Sequence, residues 1–382
     1  MALQFERSWS NDDLSQYRDA AARFAQAEIA AAEIAARGTG HVERDLWRKT
    51  GELGFLCTDI PEAYGGAGGD FRHEAVLLEE LARRGLTGMC TGVHSIVAHY
   101  FLNHGTEEQK RRYLPRMASG EWVGAIAMSE PQAGSDLQAL RTRAERRGDG
   151  YVINGAKTFI SNGLLAGVVL VVCKTDPAQA ARGTSILIVE TQDCAGFRVG
   201  PLLDKIGLKS QDTAELFFDD VQVPADALLG GVEGQGFYQL MGDLPYERLV
   251  IALMSVAAME GAFQHALDYV RERRVFGKPV ADYQNTRFKL AEVATQITVG
   301  RAFIDRCIEQ MVAGRLDTAT ASMAKLWATE TQGRVIDELL QLYGGYGYMN
   351  EYLIARMYAD ARVQRIFGGT SEIMKEVIAR AL

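Results

Sequence analysis

Two consecutive glycines, Gly368 and Gly369, lie in the stretch RIFGGTSEIM (residues 365–374), with Thr370, Ser371 and Glu372 directly after them. Glycine lets a backbone approach a ligand closely, and neighbouring hydroxyls and N–H groups can hold a phosphate or a carbonyl oxygen. The stretch closes the last helical segment and reads as a ligand-binding turn. It contains no side chain at Gly368 that could act as a base. A carboxylate is found instead in LPYERLVIALMSVAAM (Leu244–Met259), where Glu247 precedes a long apolar run. An acid in a first helical turn is also what the helix dipole favours, and Pro245 fits that turn too, so taken locally Glu247 reads first as a helix start.

Four further stretches carry ligand-binding residue types. AMSEPQAGSDL (Ala127–Leu137) places hydroxyls and backbone donors in a Gly/Pro turn able to present N–H groups to phosphate or a ring carbonyl. In KTFISNG (Lys157–Gly163), strand alternation sets Phe159 and Ser161 on one face, an aromatic wall beside a hydroxyl that suits a flat heteroaromatic ring. RERRVFGKPVADYQ (Arg271–Gln284) ends a helix with three arginines and a Phe-Gly turn, and QLYGGYGYMNEY (Gln341–Tyr352) is rich in glycine. Arginine suits phosphate. Each stretch also has a plain structural reading: an interdomain turn, a packed hairpin, dipole-complementing arginines and a tight helix-to-helix turn, respectively.

Three blocks must position these residues. Residues 12 to about 120 read as helices: DDLSQYRDAAARFAQAEIAAAEIAAR has apolar positions at helical spacing, EAVLLEELARRG stops on Gly85, and Thr106 with Gln109 forms a capping-box pattern. From near Trp122 to about residue 225, short β-rich runs alternate with turn residues, and Asn154-Gly155 predicts a hairpin turn. No strand-then-long-helix alternation is present, which disfavours a doubly wound nucleotide fold and predicts a small, mostly antiparallel barrel or sandwich. Beyond Gly230–Gly236 the chain is helical again, with Met254–Glu272, Gln284–Gly314 and Thr318–Tyr343 long enough for bundle helices. The fold class is therefore α+β and multidomain, divided as residues 1–121 (helical), 122–230 (β) and 231–382 (helical bundle).

Composition narrows the chemistry. The chain has 382 residues, 47% hydrophobic and 24% charged, as in soluble globular proteins. A net charge of −8 gives no electrostatic support for nucleic-acid binding. Five scattered cysteines (Cys57, Cys90, Cys173, Cys194, Cys307) form no CxxC pair, and His94, His99 and His104 recur every five residues, so neither a disulfide framework nor a metal site is expected. Apolar runs such as Leu164–Cys173 and Leu249–Met259 are too short to cross a bilayer, and MALQFERSWSNDD lacks a signal pattern; a cytoplasmic location with no membrane span is expected.

The order and type of AMSEPQAGSDL, KTFISNG, RRVFGKPVADYQ, QLYGGYGYMNEY and RIFGGTSEIM resemble the acyl-CoA dehydrogenase family from about Asp12 to Leu382. GAIAMSEPQAGSDLQ, KSQDTAELFFDDVQVPADALLG, LPYERLVIA and RLDTATASMAKLWA are most similar to its long-chain type. Gln132 departs from the glycine usual in that turn. The resemblance implies an N-terminal helical domain, a middle β domain and a C-terminal four-helix bundle. It implies FAD between the β domain and the bundle, completed by a neighbouring subunit, in a homotetramer built as a dimer of dimers. It also implies electron transfer flavoprotein as electron acceptor.

On this resemblance Ile126, Met128, Ser129, Gly134 and Ser135, with Phe159, Ile160 and Ser161, would line the flavin ring and pyrophosphate. Arg273, Phe276, Gln284, Gln341, Gly344 and Gly345 would hold adenosine and phosphates with Thr370, Ser371 and Glu372, partly across the subunit interface. Ser135, Tyr238, Pro245, Tyr246, Arg248, Gly368 and Gly369 would contact acyl-CoA. One branch of the family carries its base at the position of Gly368; the long-chain and isovaleryl types carry it at the position of Glu247. The implied catalytic pair is thus Glu247 as base and the Gly368 N–H as donor to the thioester oxygen. The expected reaction is α,β-dehydrogenation of an acyl-CoA to the trans-2-enoyl-CoA, of the fatty-acid β-oxidation type. Small residues at Gly88 and Gly92 leave room for a long or branched acyl tail. A branched or short-chain (isovaleryl-like) dehydrogenase is the main alternative. An acyl-CoA oxidase, disfavoured by chain length, and a non-catalytic family member are the others.

Overall fold

The computed structural model describes Phe5 and residues 7–382; Met1–Gln4 and Glu6, part of the amino-terminal stretch read for a signal pattern, lie outside the described residues. Helices α1 (Asp12–Phe24) and α2 (Ala30–Thr39) follow one another through a widened turn at Ala25–Ile29. After α3 (Arg44–Glu52) come α4 (Phe71–Arg83), α5 (Thr91–His104) and α6 (Glu107–Ala118). Two sequence signals act as expected. Thr106 and Gln109 form a capping box at the start of α6, and Gly85, at φ 64°, follows the cap of α4.

The middle block is one curled, predominantly antiparallel sheet of seven strands: β1 (Val123–Ala127), β2 (Arg143–Arg147), β3 (Gly150–Ser161), β4 (Ala166–Lys174), β5 (Thr184–Glu190), β6 (Phe197–Leu202) and β7 (Thr213–Pro224). The order is β1-β4-β2-β3-β7-β6, with β5 also paired to β4. Strands β1 and β2 both run parallel to β4, meeting it at Ala166–Val171 and at Lys174. The hairpin turn expected at Asn154-Gly155 is not there. Those residues lie inside β3, where the register with β7 shifts between Ile153 and Gly155. Gly155 is required by a bulge: its φ is 153°, and a Cβ would lie 2.4 Å from Thr142 Oγ1. The chain turns instead at Gly148-Asp149, where Arg147 pairs with Gly150 across a two-residue loop and Gly148 has φ 58°.

The last block holds α7 (Gly236–Glu272), a short hairpin of β8 (Arg274–Val275) and β9 (Lys278–Pro279), then α8 (Gln284–Val312), α9 (Thr318–Gln341), α10 (Leu353–Ala361) and α11 (Ser371–Ala379). Two expectations change here. Helix α7 starts at Gly236, so Pro245 is inside it and Glu247 stands in its fourth turn, away from the helix-start position. The lost N–H of Pro245 would have met the Met241 carbonyl, and Met241 is an exposed residue, so the interruption falls on the solvated side. The RIFGGTSEIM stretch does not close the final helix either; Thr370 opens α11, its side chain accepting from Ile373 N–H.

Helix α7 is the spine, packed against α4, α5, α8 and α9. It is long and apolar enough to cross a membrane, unlike the shorter runs considered in the sequence, but 72% of its most apolar window is buried inside this protein. It serves as a core helix. At Gly261 it crosses α4 so closely that a Cβ would lie 1.8 Å from the Arg83 carbonyl oxygen. Beside this crossing is a buried ionic cluster. Arg301 of α8 donates to Glu260 and to Glu79, each at 2.6 Å, and Arg7 donates to Glu79 and Asp305, each at 2.7 Å. Against the burial that would raise it, Arg301 and Arg7 hold the Glu79 carboxyl far below its ordinary range.

Candidate active site

Glu247 is 6% exposed, and Tyr100 of α5 donates a hydrogen bond to its Oε1 at 2.8 Å. Burial raises its carboxyl to about 7, opposed by the Tyr100 hydrogen bond, while Asp243 adds to the rise and Arg248 reduces it. A carboxylate with such a value is a competent general base near neutral pH. One turn further along α7, Ile251 meets the glycine turn: a Cβ on Gly368 would lie 2.4 Å from Ile251 Cδ1. Gly368 and Gly369 have φ of 63° and 94°, conformations that only glycine adopts readily. The structure therefore sets Gly368 against α7 one turn beyond Glu247, across more than 120 residues of sequence.

The turn is held from behind by α9. Lys325, fully buried, donates to the Gly369 carbonyl at 2.5 Å, and burial with nearby Arg248 lowers its ammonium to about 8. Ser371 donates to Glu330 at 2.6 Å, and Arg365 reaches the same carboxylate at 3.4 Å. Arg248 is buried and donates to Ser322 at 3.0 Å. Tyr246 faces elsewhere: its ring stacks on His99 at 4.0 Å and its hydroxyl meets Ser95 at 2.9 Å, within the N-terminal helical core. Pro245 is half-buried and Tyr238 exposed on the first turns of α7.

A second group collects at the edge of the sheet. Ile126 is the penultimate residue of β1; Met128 and Ser129 follow the strand, and Gly134 and Ser135 are exposed in the loop beyond. A buried pair shapes this loop. Lys157 Nζ donates to Glu130 Oε1 at 2.8 Å and to the Met128 carbonyl at 3.0 Å, while Glu130 Oε2 accepts from the Arg141 N–H at 2.7 Å. Gln132, the residue that departs from the family pattern, donates to Glu130 at 2.6 Å and so reinforces the same anchor. In β3 the register shifts again between Lys157 and Ile160, and Phe159 takes φ 60° with its ring 70% exposed. The bulge breaks the alternation expected for Phe159 and Ser161. Ile160 is buried and Ser161 accepts from Gln211 at 3.1 Å.

A third group occupies the far end of the bundle. Arg273 caps α7 with its guanidinium 5.5 Å from the Tyr346 ring, Phe276 stands 97% exposed on the β8–β9 turn, and Gln284 opens α8. Gln341, Gly344 and Gly345 are exposed at the end of α9. Thr370, Ser371 and Glu372, assigned with them from the sequence, instead begin α11 directly after the Gly368–Gly369 turn, on the Glu247 side. Arg273 lies 26 residues beyond Glu247 on one helix, about 39 Å at 1.5 Å per residue.

These surroundings fit a large flat cofactor with phosphates. Phe159 and Phe276 are non-glycine residues in left-handed conformations with almost bare rings, the kind of strained, exposed aromatic that a stacked ligand stabilises. At Gly134, Gly344 and Gly345 nothing lies within 4 Å of a built Cβ, leaving open backbone. Two cavities of about 520 and 420 Å³ lie elsewhere, around Arg112–Glu190 and Arg147–Gly150 on the β domain, and touch none of the site residues. The space attributed to Gly88 is also absent: a Cβ there meets Glu33 Oε2 at 2.8 Å and Val42 at 2.9 Å, because Glu33 accepts the Gly88 N–H. Gly92 sits against Val250 of α7, 3.2 Å from its Cγ1. Among the described residues no cluster of His, Cys, Asp and Glu could hold a metal ion.

The sequence did not single out Tyr100, Asp243 or Lys325. Helical spacing does put Tyr100, Asn103 and His104 on one face of α5, and Asp243 and Glu247 on one face of α7. Facing each other, they connect through Asn103 to Asp243 at 2.6 Å and His104 to Asp243 at 2.7 Å.

A helical–sheet–helical chain with a near-neutral buried carboxylate beside a glycine turn, and an exposed aromatic on the sheet, suits acid–base chemistry next to a flat cofactor. Comparison places it more closely. The chain matches "Acyl-CoA dehydrogenase, N-terminal domain" over residues 11–121, the middle domain over 125–221 and the C-terminal domain over 234–382. It is 49% identical over 369 residues to the long-chain specific acyl-CoA dehydrogenase, mitochondrial, of Sus scrofa, covering 96% of this chain and 85% of that one. It is 36% identical to the isovaleryl-CoA dehydrogenase, mitochondrial, of Oryza sativa subsp. japonica, covering 97% and 91%. The acyl-CoA dehydrogenase structure from Geobacillus kaustophilus superposes with a TM-score of 0.96 at 46% identity, covering 98% of this chain and 99% of that one. The chain belongs to the acyl-CoA dehydrogenase family, FAD-dependent oxidoreductases that act on acyl-CoA.

Proposed function

We propose that this chain dehydrogenates an acyl-CoA thioester between its α- and β-carbons to the trans-2-enoyl-CoA, with long-chain substrates favoured. The observation that carries the reading is Glu247: buried, near-neutral in its ionisation, and one turn from the Ile251–Gly368 contact. Glu247 takes the α-proton while the bonding pair moves into the new double bond. The Gly368 N–H donates to the thioester oxygen, where negative charge develops. Lys325 fixes the carbonyl of Gly369 and so the aim of that turn. FAD would be held by the β1–β2 loop, the Phe159 bulge and the α11 start, and when bound would supply the acceptor for the β-hydride.

The Arg273 group belongs to the same proposal. About 39 Å along α7 from Glu247, it is too far to share that flavin within one chain, which supports a partner subunit contributing Arg273, Phe276, Gln284 and Gln341–Gly345. A homotetramer, electron transfer flavoprotein as acceptor, cytoplasmic location and domain boundaries at 121/122 and 230/231 complete the reading; a role in β-oxidation follows from the product. The higher identity to the long-chain than to the isovaleryl relative supports the substrate preference.

Anaerobic flavin bleaching tests it. Glu247→Gln should keep yellow FAD and acyl-CoA binding yet lose reduction by substrate, a fall of at least a thousandfold; near-normal bleaching rejects the base. The same assay across short, long and branched acyl-CoAs ranks the substrates.

A further inference from the structure

The hydrogen bond to Glu247 is one-sided. Tyr100 engages Oε1, and among the described residues nothing donates to Oε2. We infer that Tyr100 is a positioning residue for the base, locking Glu247 through Oε1 so that Oε2 is the oxygen that receives the substrate proton. The inference rests on Glu247 being that base.

Tyr100 is suited to the task. It is fully buried in the middle of α5, and burial and the Glu247 charge push its hydroxyl acidity far out of range, so it donates and does not ionise. The other charged groups around α7 each engage a partner other than Glu247. Asp243 is anchored by Asn103 and His104, His99 faces Asp59, and Lys325 of α9 holds the Gly369 carbonyl. Glu74 of α4 accepts from Thr58, Arg248 donates to Ser322, and Arg301 and Asp305 of α8 belong to the ionic cluster. Tyr100 is thus the side chain that can hold this carboxylate in one rotamer.

The bond also favours the charged carboxylate, which gives the test its sign. A hydrogen bond to a charged group corresponds to about one pH unit or more. In the holoenzyme, the acid limb of kcat/KM against pH should move up by about one unit in Tyr100→Phe. The plateau kcat at pH 9 should fall about tenfold with KM little changed. Asp243→Asn should move the limb down, because the nearby charge that disfavours ionisation is removed. Placing 3-fluorotyrosine at 100, a stronger donor of nearly the same shape, should also move it down, and this variant decides the matter if Tyr100→Phe does not fold. An unmoved limb and plateau in Tyr100→Phe, or an unmoved limb with fluorotyrosine, overturns the inference. Glu247→Gln separates the two levels: if it still bleaches, the base assignment fails, whereas an inactive Glu247→Gln beside a wild-type-like Tyr100 variant removes only the positioning role.

Discussion

At neutral pH, Glu247 is divided between charged and neutral forms, because burial lifts its carboxyl from an ordinary 4.5 to about 7. A folded-state value above the unfolded one means the native chain holds its proton more tightly. Stability from this group is fully present below about pH 4.5 and is lost as pH rises through about 7. Holding the charged base in the core above that range costs on the order of 3 kcal/mol. Glu247→Gln should therefore melt higher than the parent at pH 8 and nearly equal to it at pH 5; a gap that does not change with pH would contradict the raised value. On the proposed reading the stabilised variant is also the inactive one, a trade between activity and stability confined to one side chain. Sequence reasoning reached Glu247 and Gly368 because both lie in recognisable stretches. It did not reach Tyr100, because that residue reads as one more core aromatic until α5 is laid against α7.

Elements were legible where a local signal decides them. The α6 capping box and Gly85 are set by residues within four positions. Asn154-Gly155 misled because the same dipeptide that makes a hairpin turn also relieves a bulge, and only the strand beside it, β7, distinguishes the two. In sequence Pro245 reads as part of a first helical turn, nine residues after the real start of α7 at Gly236, because proline suits that position, whereas packing against α4 and α5 carries the helix through it. That packing has a narrow point. Gly261→Ala should destabilise by about 1–3 kcal/mol, since its methyl would collide with backbone of α4 that cannot move alone. A lowered thermal midpoint checks it, and an unchanged midpoint would show that the crossing can relax.

Across the whole molecule, the ionic cluster ties the amino-terminal segment, α4, α7 and α8 into one body. Removing Arg301 leaves Glu79 and Glu260 buried without their shared partner. Arg301→Leu should cost about 3–5 kcal/mol in denaturant titration, well above the effect expected of a surface ion pair. With Glu79 held low, its contribution is fully present above about pH 4.5 and is lost as pH falls through its folded-state value, so the mutant should also lose part of the parent's acid sensitivity. None of this was visible in sequence, since the partners are separated by up to 298 residues.

The contact between Ile251 and Gly368 also constrains how such a protein can change over time. Any side chain at 368 must fit a left-handed backbone and displace the isoleucine tip 2.4 Å away. On the proposed reading, a lineage moving its acid from the helix to the turn must also swing that flexible tip aside, so the identity of residue 368 is coupled to the rotamer of residue 251.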